Sequence, residues 1–267
     1  RSRGLGDVYK RQLLLNMPFV NKKVLEKIRE QVVNAFGGKF YEIIVGGAAF
    51  NQEVEQFLQR IEFPYTVGYG ATECAPIICY ADCHDFVAGS CGKPVVHMEV
   101  KIDSPDPQNV PGEILARGLN VMLGYFKNEE ATAQTLDAEG WYHTGDLGLM
   151  DADGNVFIKG RSKNMLLGAS GQNIYPEEIE DKLNSLNMIN ECIVVQRGEK
   201  LVGLVYPDFD EAATMQLNDS DLENIMEENR QELNASQPPY CRLAAIEIVK
   251  EEFEKTPKKS IKRYLYK

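Results

Sequence analysis

Residues 40–70 read FYEIIVGGAAFNQEVEQFLQRIEFPYTVGYG, and this stretch decides the fold class. Residues 40–45 form a short β-rich run that stops at Gly46-Gly47. Residues 53–61 carry Val54, Phe57, Leu58 and Ile61 at helical spacing. Residues 65–69 form a second short apolar run, again closed by glycine. Strand, helix, strand in this order predicts an α/β fold with a mostly parallel sheet. Ligands of such sheets sit beyond the carboxyl ends of the strands. The two glycine-marked ends, 46–47 and 68–70, therefore point at one crevice.

On the N-terminal side, residues 21–36 place Val24, Leu25, Ile28, Val32, Val33 and Phe36 on one helical face, ended by Gly37-Gly38. On the C-terminal side the texture changes. Between residues 86 and 158 short apolar runs (95–102, 113–117, 156–158) alternate with Gly, Pro and Asp, which predicts a β-rich subdomain. A helix is predicted near residues 128–136. Beyond Arg161, residues 176–186 form an amphipathic helix with Pro176 at its start and Glu177-Glu178 in its first turn. Residues 191–196 and 201–206 read as a hairpin, 220–233 as a helix capped by Ser220, and 244–249 as a strand. Residues 254–267 are basic. The predicted division is 1–12 unstructured or a junction artefact, 13–85 an α/β subdomain, 86–162 a β-rich subdomain, and 163–267 a small mobile C-terminal domain.

The chain has 267 residues, 43% of them hydrophobic and 26% charged, an ordinary globular composition. A net charge of −11 argues against a general nucleic-acid binder but allows a local basic pocket. The six cysteines, Cys74, Cys79, Cys83, Cys91, Cys192 and Cys241, read as free thiols of a cytoplasmic protein. Cys79, Cys83, His84 and Cys91 raise the question of zinc, but their spacing is not the paired Cys-x-x-Cys of a zinc ribbon. No apolar stretch has spanning length; peripheral membrane association and oligomeric state are left open. Residues 1–12 (RSRGLGDVYKRQ) show no apolar period and no targeting pattern, and organised sequence begins at Leu13.

Four motifs carry chemistry. In Tyr69-Gly70-Ala71-Thr72-Glu73 a glycine loop lets backbone approach a ligand, Thr72 offers a hydroxyl to a phosphate, Glu73 a hard oxygen to Mg²⁺, and Tyr69 a flat face to a base. A turn with Thr72 as helix cap is the structural alternative. In residues 140–147 (GWYHTGDL) Asp146 can accept hydrogen bonds from vicinal ribose hydroxyls, or mark a polar turn. His143 reads as structural rather than catalytic. In residues 159–165 (KGRSKNM) the Arg161 fork can bond hydroxyls or phosphates, or form a surface ion pair. Residues 168–180 run from a Gly-rich loop into a helix, either a ligand-facing loop or a plain connection.

In this order the motifs resemble the adenylate-forming superfamily of acyl-CoA synthetases, luciferases and peptide-synthetase adenylation domains, from about Leu13 to the C-terminus, and most of all its fatty-acyl-CoA ligases. The resemblance implies the C-terminal part of a large α/β plus β-barrel-like domain, followed by a small α+β domain. It implies that Gly46, Gly47 and Ala48 lie against adenine, that Tyr69 stacks on the base, that Gly70 belongs to the same nucleotide-binding loop, that Thr72 meets phosphate, and that Glu73 holds Mg²⁺. Asp146 and Arg161 match the ribose-binding pair, Lys163 the hinge of the C-terminal domain, and Gly171 the loop lining the pantetheine tunnel.

Two departures stand out. The family's Ser/Thr/Gly-rich phosphate loop is not found in this sequence. At the C-terminus Ser260 takes the place of the catalytic lysine, with Lys259 and Lys262 as the neighbouring substitutes. The implied reaction uses ATP, Mg²⁺ and coenzyme A to convert a carboxylic acid, foremost a long-chain fatty acid, to an acyl-adenylate and then a thioester. The chain is expected to be an N-terminally truncated piece that does not turn over ATP by itself. The alternatives are another adenylate-former that loads a carrier protein or an aryl acid, and a non-catalytic remnant that binds nucleotide or a partner protein.

Overall fold

The computed structural model describes residues 22–47, 50–257 and 260–266. The expectations for residues 1–12, the start at Leu13, Ala48 and Lys259 lie outside the described residues.

Helices α1 (Lys22–Ala35) and α2 (Gln52–Arg60) flank strand β1 (Ile43–Val45) in sequence. β1 pairs in parallel with β2 (Tyr65–Val67), Ile43 opposite Tyr65 and Val45 opposite Val67. Asn51 caps α2 by accepting the amides of Glu53 and Val54, both at 3.0 Å. The apolar faces of both helices close over Ile61, Phe63 and Tyr65, with Leu25, Ile28, Val32, Phe57 and Leu58 packed against them. Each such buried side chain contributes about 1.5–3 kcal/mol. Among the described residues the parallel sheet has these two strands.

The run predicted as one strand over residues 65–69 breaks at Gly68. Its amide still donates to the Val45 carbonyl, at 2.8 Å. The chain then turns, and β3 (Tyr69–Gly70) pairs antiparallel with β4 (Ile77–Tyr80), which also pairs with β5 (Lys93–Pro94). The glycines let one apolar run serve two sheets.

Next comes an antiparallel meander of β6 (Met98–Asp103), β7 (Gly112–Gly118), β8 (Tyr142–Met150) and β9 (Val156–Arg161), paired in chain order. Helix α3 (Glu129–Thr135), capped by Asn128, interrupts it. Strand β8 corrects the reading of residues 140–147 as a turn. Its Gly and Asp depress strand propensity, but pairing on both edges overrides that preference. The two sheets enclose one core that includes Tyr69, Cys74, Ile78, Cys91, Ile114 and Val156.

The C-terminal part opens with a short hairpin, β10 (Leu166–Leu167) and β11 (Asn173–Ile174), followed by α4 (Pro176–Leu183). Strands β12 (Ile189–Arg197) and β13 (Lys200–Pro207) form the expected hairpin, and β14 (Leu243–Ile248) lies parallel to β13. Between them run α5 (Phe209–Thr214), which periodicity does not reveal, and α6 (Asp219–Ala235). The cap of α6 is Asn218, not Ser220: the Asn218 side chain accepts the amides of Ser220 and Asp221, and Asp221 returns a bond to the Asn218 amide. Alternation along β12 buries both faces. Cys192 and Val194 pack with Leu183, Met226 and Leu233, whereas Ile193 and Val195 pack with Phe253, Ile261 and Tyr266.

Candidate active site

The parallel pair β1–β2 brings its two glycine-marked ends together. A Cβ placed on Gly46 would stand 3.2 Å from the Gly68 carbonyl oxygen, so the two loops are in contact. Gly47 has φ +91°, a conformation that side chains disfavour. Gly70 has a packing reason for being glycine, because an added Cβ would collide with the backbone of Pro76.

Tyr69, the residue after Gly68, links this crevice to Asp146. Asp146 sits within β8, directly opposite Arg161 on β9. Arg161 Nε lies 2.7 Å from Asp146 Oδ1, and the Tyr69 hydroxyl donates to Oδ2 at 2.6 Å. The Asp146 side chain is 11% exposed, whereas the arginine side chain is 62% exposed. Thr144 fixes the strand locally: its hydroxyl donates to the Ile114 carbonyl and accepts the Asp146 amide. Burial pushes the Asp146 carboxyl above its ordinary range, against the pull of the Tyr69 hydrogen bond and the Arg161 charge. Burial, then the charge of Asp146, raises the Tyr69 phenol, which stays a donor. The result is a pre-positioned acceptor with an exposed cation at its mouth, an arrangement that suits a pair of vicinal hydroxyls. Tyr69 reaches this site through its hydroxyl, while its ring lies in the core at 6% exposure.

The rest of the first motif forms a 3₁₀ turn, Thr72–Cys74, capped by Ala71 without a side-chain bond. Thr72 is therefore not the cap; it is exposed. Glu73 Oε1 accepts the Tyr125 hydroxyl at 2.8 Å. Tyr142 also faces Glu73: burial first, and then that carboxylate, raises its phenol. The Met122 amide donates to the Glu73 carbonyl at 2.7 Å, and Asn120 Nδ2 donates to the carbonyls of Cys74 and Ile77. The segment after β7 thus straps the motif in place. A half-buried carboxylate steadied by tyrosine, beside an exposed threonine, fits a hard divalent cation that takes its remaining ligands from phosphates and water. Sequence reasoning does not single out Asn120, Tyr125 or Tyr142; the signal for Tyr142 is its place inside residues 140–147.

The structure treats the other predicted residues unevenly. His143 stands between Glu113, at 3.0 Å, and Asp137, at 3.7 Å, a tie between β7 and the turn before β8. Lys163 is exposed in a 3₁₀ turn, Ser162–Asn164. The start of α4 clamps that turn from both sides: Asn164 donates to Glu177 at 2.6 Å, and Lys159 pairs with Glu178 at 2.7 Å. Glu177, read from the sequence as a first-turn residue of the helix, also lies close enough to Asp146 for its charge to help raise that carboxyl. Gly171, φ +83°, lies exposed in the loop joining β10 and β11. Lys262 is tied to Glu254 at 3.1 Å rather than to any residue around Asp146. Ser260 bonds locally with Thr256. Cys79, Cys83, His84 and Cys91 do not converge: Cys79 and Cys91 are in the core, whereas Cys83 and His84 lie with Asp82 outside it.

Comparison with known proteins places the chain in a family. The AMP-binding enzyme family matches residues 9–126, and the AMP-binding enzyme C-terminal domain matches residues 163–266. A 4-coumarate–CoA ligase of Vanilla planifolia is 37% identical over 202 residues, which cover 70% of this chain and 36% of that protein. The peroxisomal long chain acyl-CoA synthetase 7 of Arabidopsis thaliana is 36% identical over 199 residues, covering 69% and 28%. The O-succinylbenzoate coenzyme A synthetase of Bacillus subtilis, solved with AMP, superposes with a TM-score of 0.69 at 22% identity, covering 89% of this chain and 49% of that one. An anthranilate CoA ligase solved with anthranoyl-AMP gives 0.69 at 25% identity, covering 85% and 44%. The chain thus spans about a third of the length of the curated relatives it matches. Both matched domains and the relatives agree that the chain belongs to the AMP-binding enzyme family, whose relatives here are acid–CoA ligases.

Proposed function

We propose that this chain holds the adenosine of AMP and of an acyl-adenylate, with the ribose hydroxyls on Asp146 and the base in the crevice between Gly46-Gly47 and Gly68. The observation that carries this reading is the buried Asp146 carboxylate held between the Tyr69 hydroxyl and Arg161. Arg161, exposed at the mouth of the site, bonds the ribose or a phosphate oxygen when the nucleotide enters. Thr72 donates to the α-phosphate, and Glu73 would hold Mg²⁺, which when bound neutralises phosphate charge.

In the whole protein the proposed reaction joins a carboxylic acid to coenzyme A. A carboxylate oxygen attacks the α-phosphorus of ATP, and the bond to pyrophosphate breaks. The coenzyme A thiol then attacks the acyl carbon, and AMP leaves. Asp146 and Arg161 keep the ribose, and so the reacting phosphorus, in one place through both steps. Lys163 is the proposed pivot of the C-terminal part, Gly171 the proposed contact of the pantetheine arm, and Lys262 or Lys259 the proposed phosphate-facing cation.

A long-chain fatty acid is the first substrate reading, supported by the motif resemblance and the long-chain relative. An aryl acid is the second, supported by the several 4-coumarate–CoA ligases among the relatives. Acyl-CoA formation by the whole protein against a panel of fatty and hydroxycinnamic acids separates them. The nucleotide site itself is tested by calorimetric titration of this chain with AMP. Asp146→Ala is expected to weaken AMP at least about tenfold, the loss of a charge-assisted hydrogen-bond pair. If AMP binds the variant as tightly as the parent, the site assignment is wrong.

A further inference from the structure

Outside the crevice one cluster of ligating side chains has no part in the reading above. Asp82, Cys83 and His84 follow β4, and one donor atom of each lies within 4.8 Å of the other two. His84 Nδ1 is 2.7 Å from Asp82 Oδ1 and 3.4 Å from Cys83 Sγ. Around a tetrahedral zinc ion, with bonds of about 2.0–2.3 Å, neighbouring donors stand about 3.3–3.7 Å apart. The sulfur–nitrogen pair already has that spacing, and the oxygen–nitrogen pair reaches it with less than about 1 Å of movement.

The donor types are equally specific. Imidazole, thiolate and carboxylate together suit zinc, whereas Mg²⁺ takes oxygen ligands alone. An outer ring supports the donors. The Tyr41 hydroxyl donates to Asp82 Oδ2 at 2.8 Å and lies 3.3 Å from His84 Nδ1. The Glu42 carboxylate accepts the Cys83 amide at 2.9 Å and the Tyr80 hydroxyl. Such partners orient ligands and raise their affinity. His84 is exposed, so water can complete the coordination.

We propose that Asp82, Cys83 and His84 form a zinc(II) site completed by solvent. Binding releases the Cys83 thiol proton to solvent and places zinc on the sulfur. Because Tyr41 and Glu42 precede β1, the ion also ties the entry of β1, the end opposite Gly46-Gly47, to the exit of β4. The test is titration of the chelator-stripped 267-residue chain with Co²⁺, followed by displacement with Zn²⁺ against a colorimetric chelator. One cobalt per chain is expected, with the near-ultraviolet charge-transfer absorption of a cobalt–thiolate bond. Cys83→Ser should abolish that band, and His84→Ala or Asp82→Asn should weaken binding at least about tenfold. Cys241→Ser, a half-buried thiol elsewhere, should leave the band intact. Circular dichroism of the metal-free variants checks their fold. Absence of the band in the parent chain, or its survival in Cys83→Ser, overturns the proposal.

Discussion

Asp146 shows how much one residue depends on partners distant in the chain. Its neighbours in sequence mark it as a turn residue, and only Tyr69, 77 positions away, and Arg161 across the ladder make it a buried acceptor. The Tyr69 hydroxyl is the cleanest handle on this arrangement. Tyr69→Phe leaves the ring in the core and removes one hydrogen bond to a charged, buried carboxylate. It is expected to lower stability by about 1.5–3 kcal/mol in urea denaturation and to weaken AMP binding in calorimetry. Unchanged values for both would show that the hydroxyl does not hold Asp146. The identities of Thr72, Glu73, Asp146 and Arg161 were legible from motif order, whereas Tyr125 and Tyr142 around Glu73 were not, because nothing local marks a tyrosine as facing a carboxylate.

At the scale of the element, α4 concentrates charge. Glu177, Glu178 and Asp181 lie on adjoining turns, and the first two reach across to Asn164 and Lys159. Asp181 is the one left in the cluster's field. Burial, and then the charges of Glu177 and Glu178, raise it from 3.8 to about 6. The folded protein therefore holds this proton more tightly than the unfolded chain does. The resulting stabilisation is complete below pH 3.8 and is lost as pH rises through about 6. Asp181→Asn keeps a neutral group at every pH. Above pH 6 it should be more stable than the parent, by about 1–2 kcal/mol after allowance for partial exposure. The advantage should vanish towards pH 4, and a difference independent of pH in thermal melts would refute the account. Helix α4 itself was readable from Pro176 and its apolar period. Strand β8 was not, since its Gly and Asp are held extended by neighbours on both edges.

For the whole molecule, a buried ion pair helps to tie the C-terminal segment to the body of its domain. Arg263 Nη1 lies 2.7 and 2.8 Å from the two oxygens of Glu180, and Nη2 donates to the Val194 carbonyl. Glu180, 8% exposed, also accepts the Val194 amide. Arg263→Ala strands that carboxylate, and about 3–5 kcal/mol of stability should be lost in urea denaturation. Adding Glu180→Gln to the same chain should recover part of it, because the stranded charge is then gone. No recovery would mean that the loss came from packing. Such a pair, 83 positions apart, has no trace in local pattern. The sequence by itself determined what rests on neighbours along the chain: the period of α1, α2 and α4, the glycine-ended strands β1 and β2, and the motif order that marks the family. Tertiary structure alone decided that residues 142–150 are a strand and that Asp146 is buried under Tyr69 and Arg161. Those outcomes depend on through-space contacts between segments far apart in sequence, and no local periodicity encodes them.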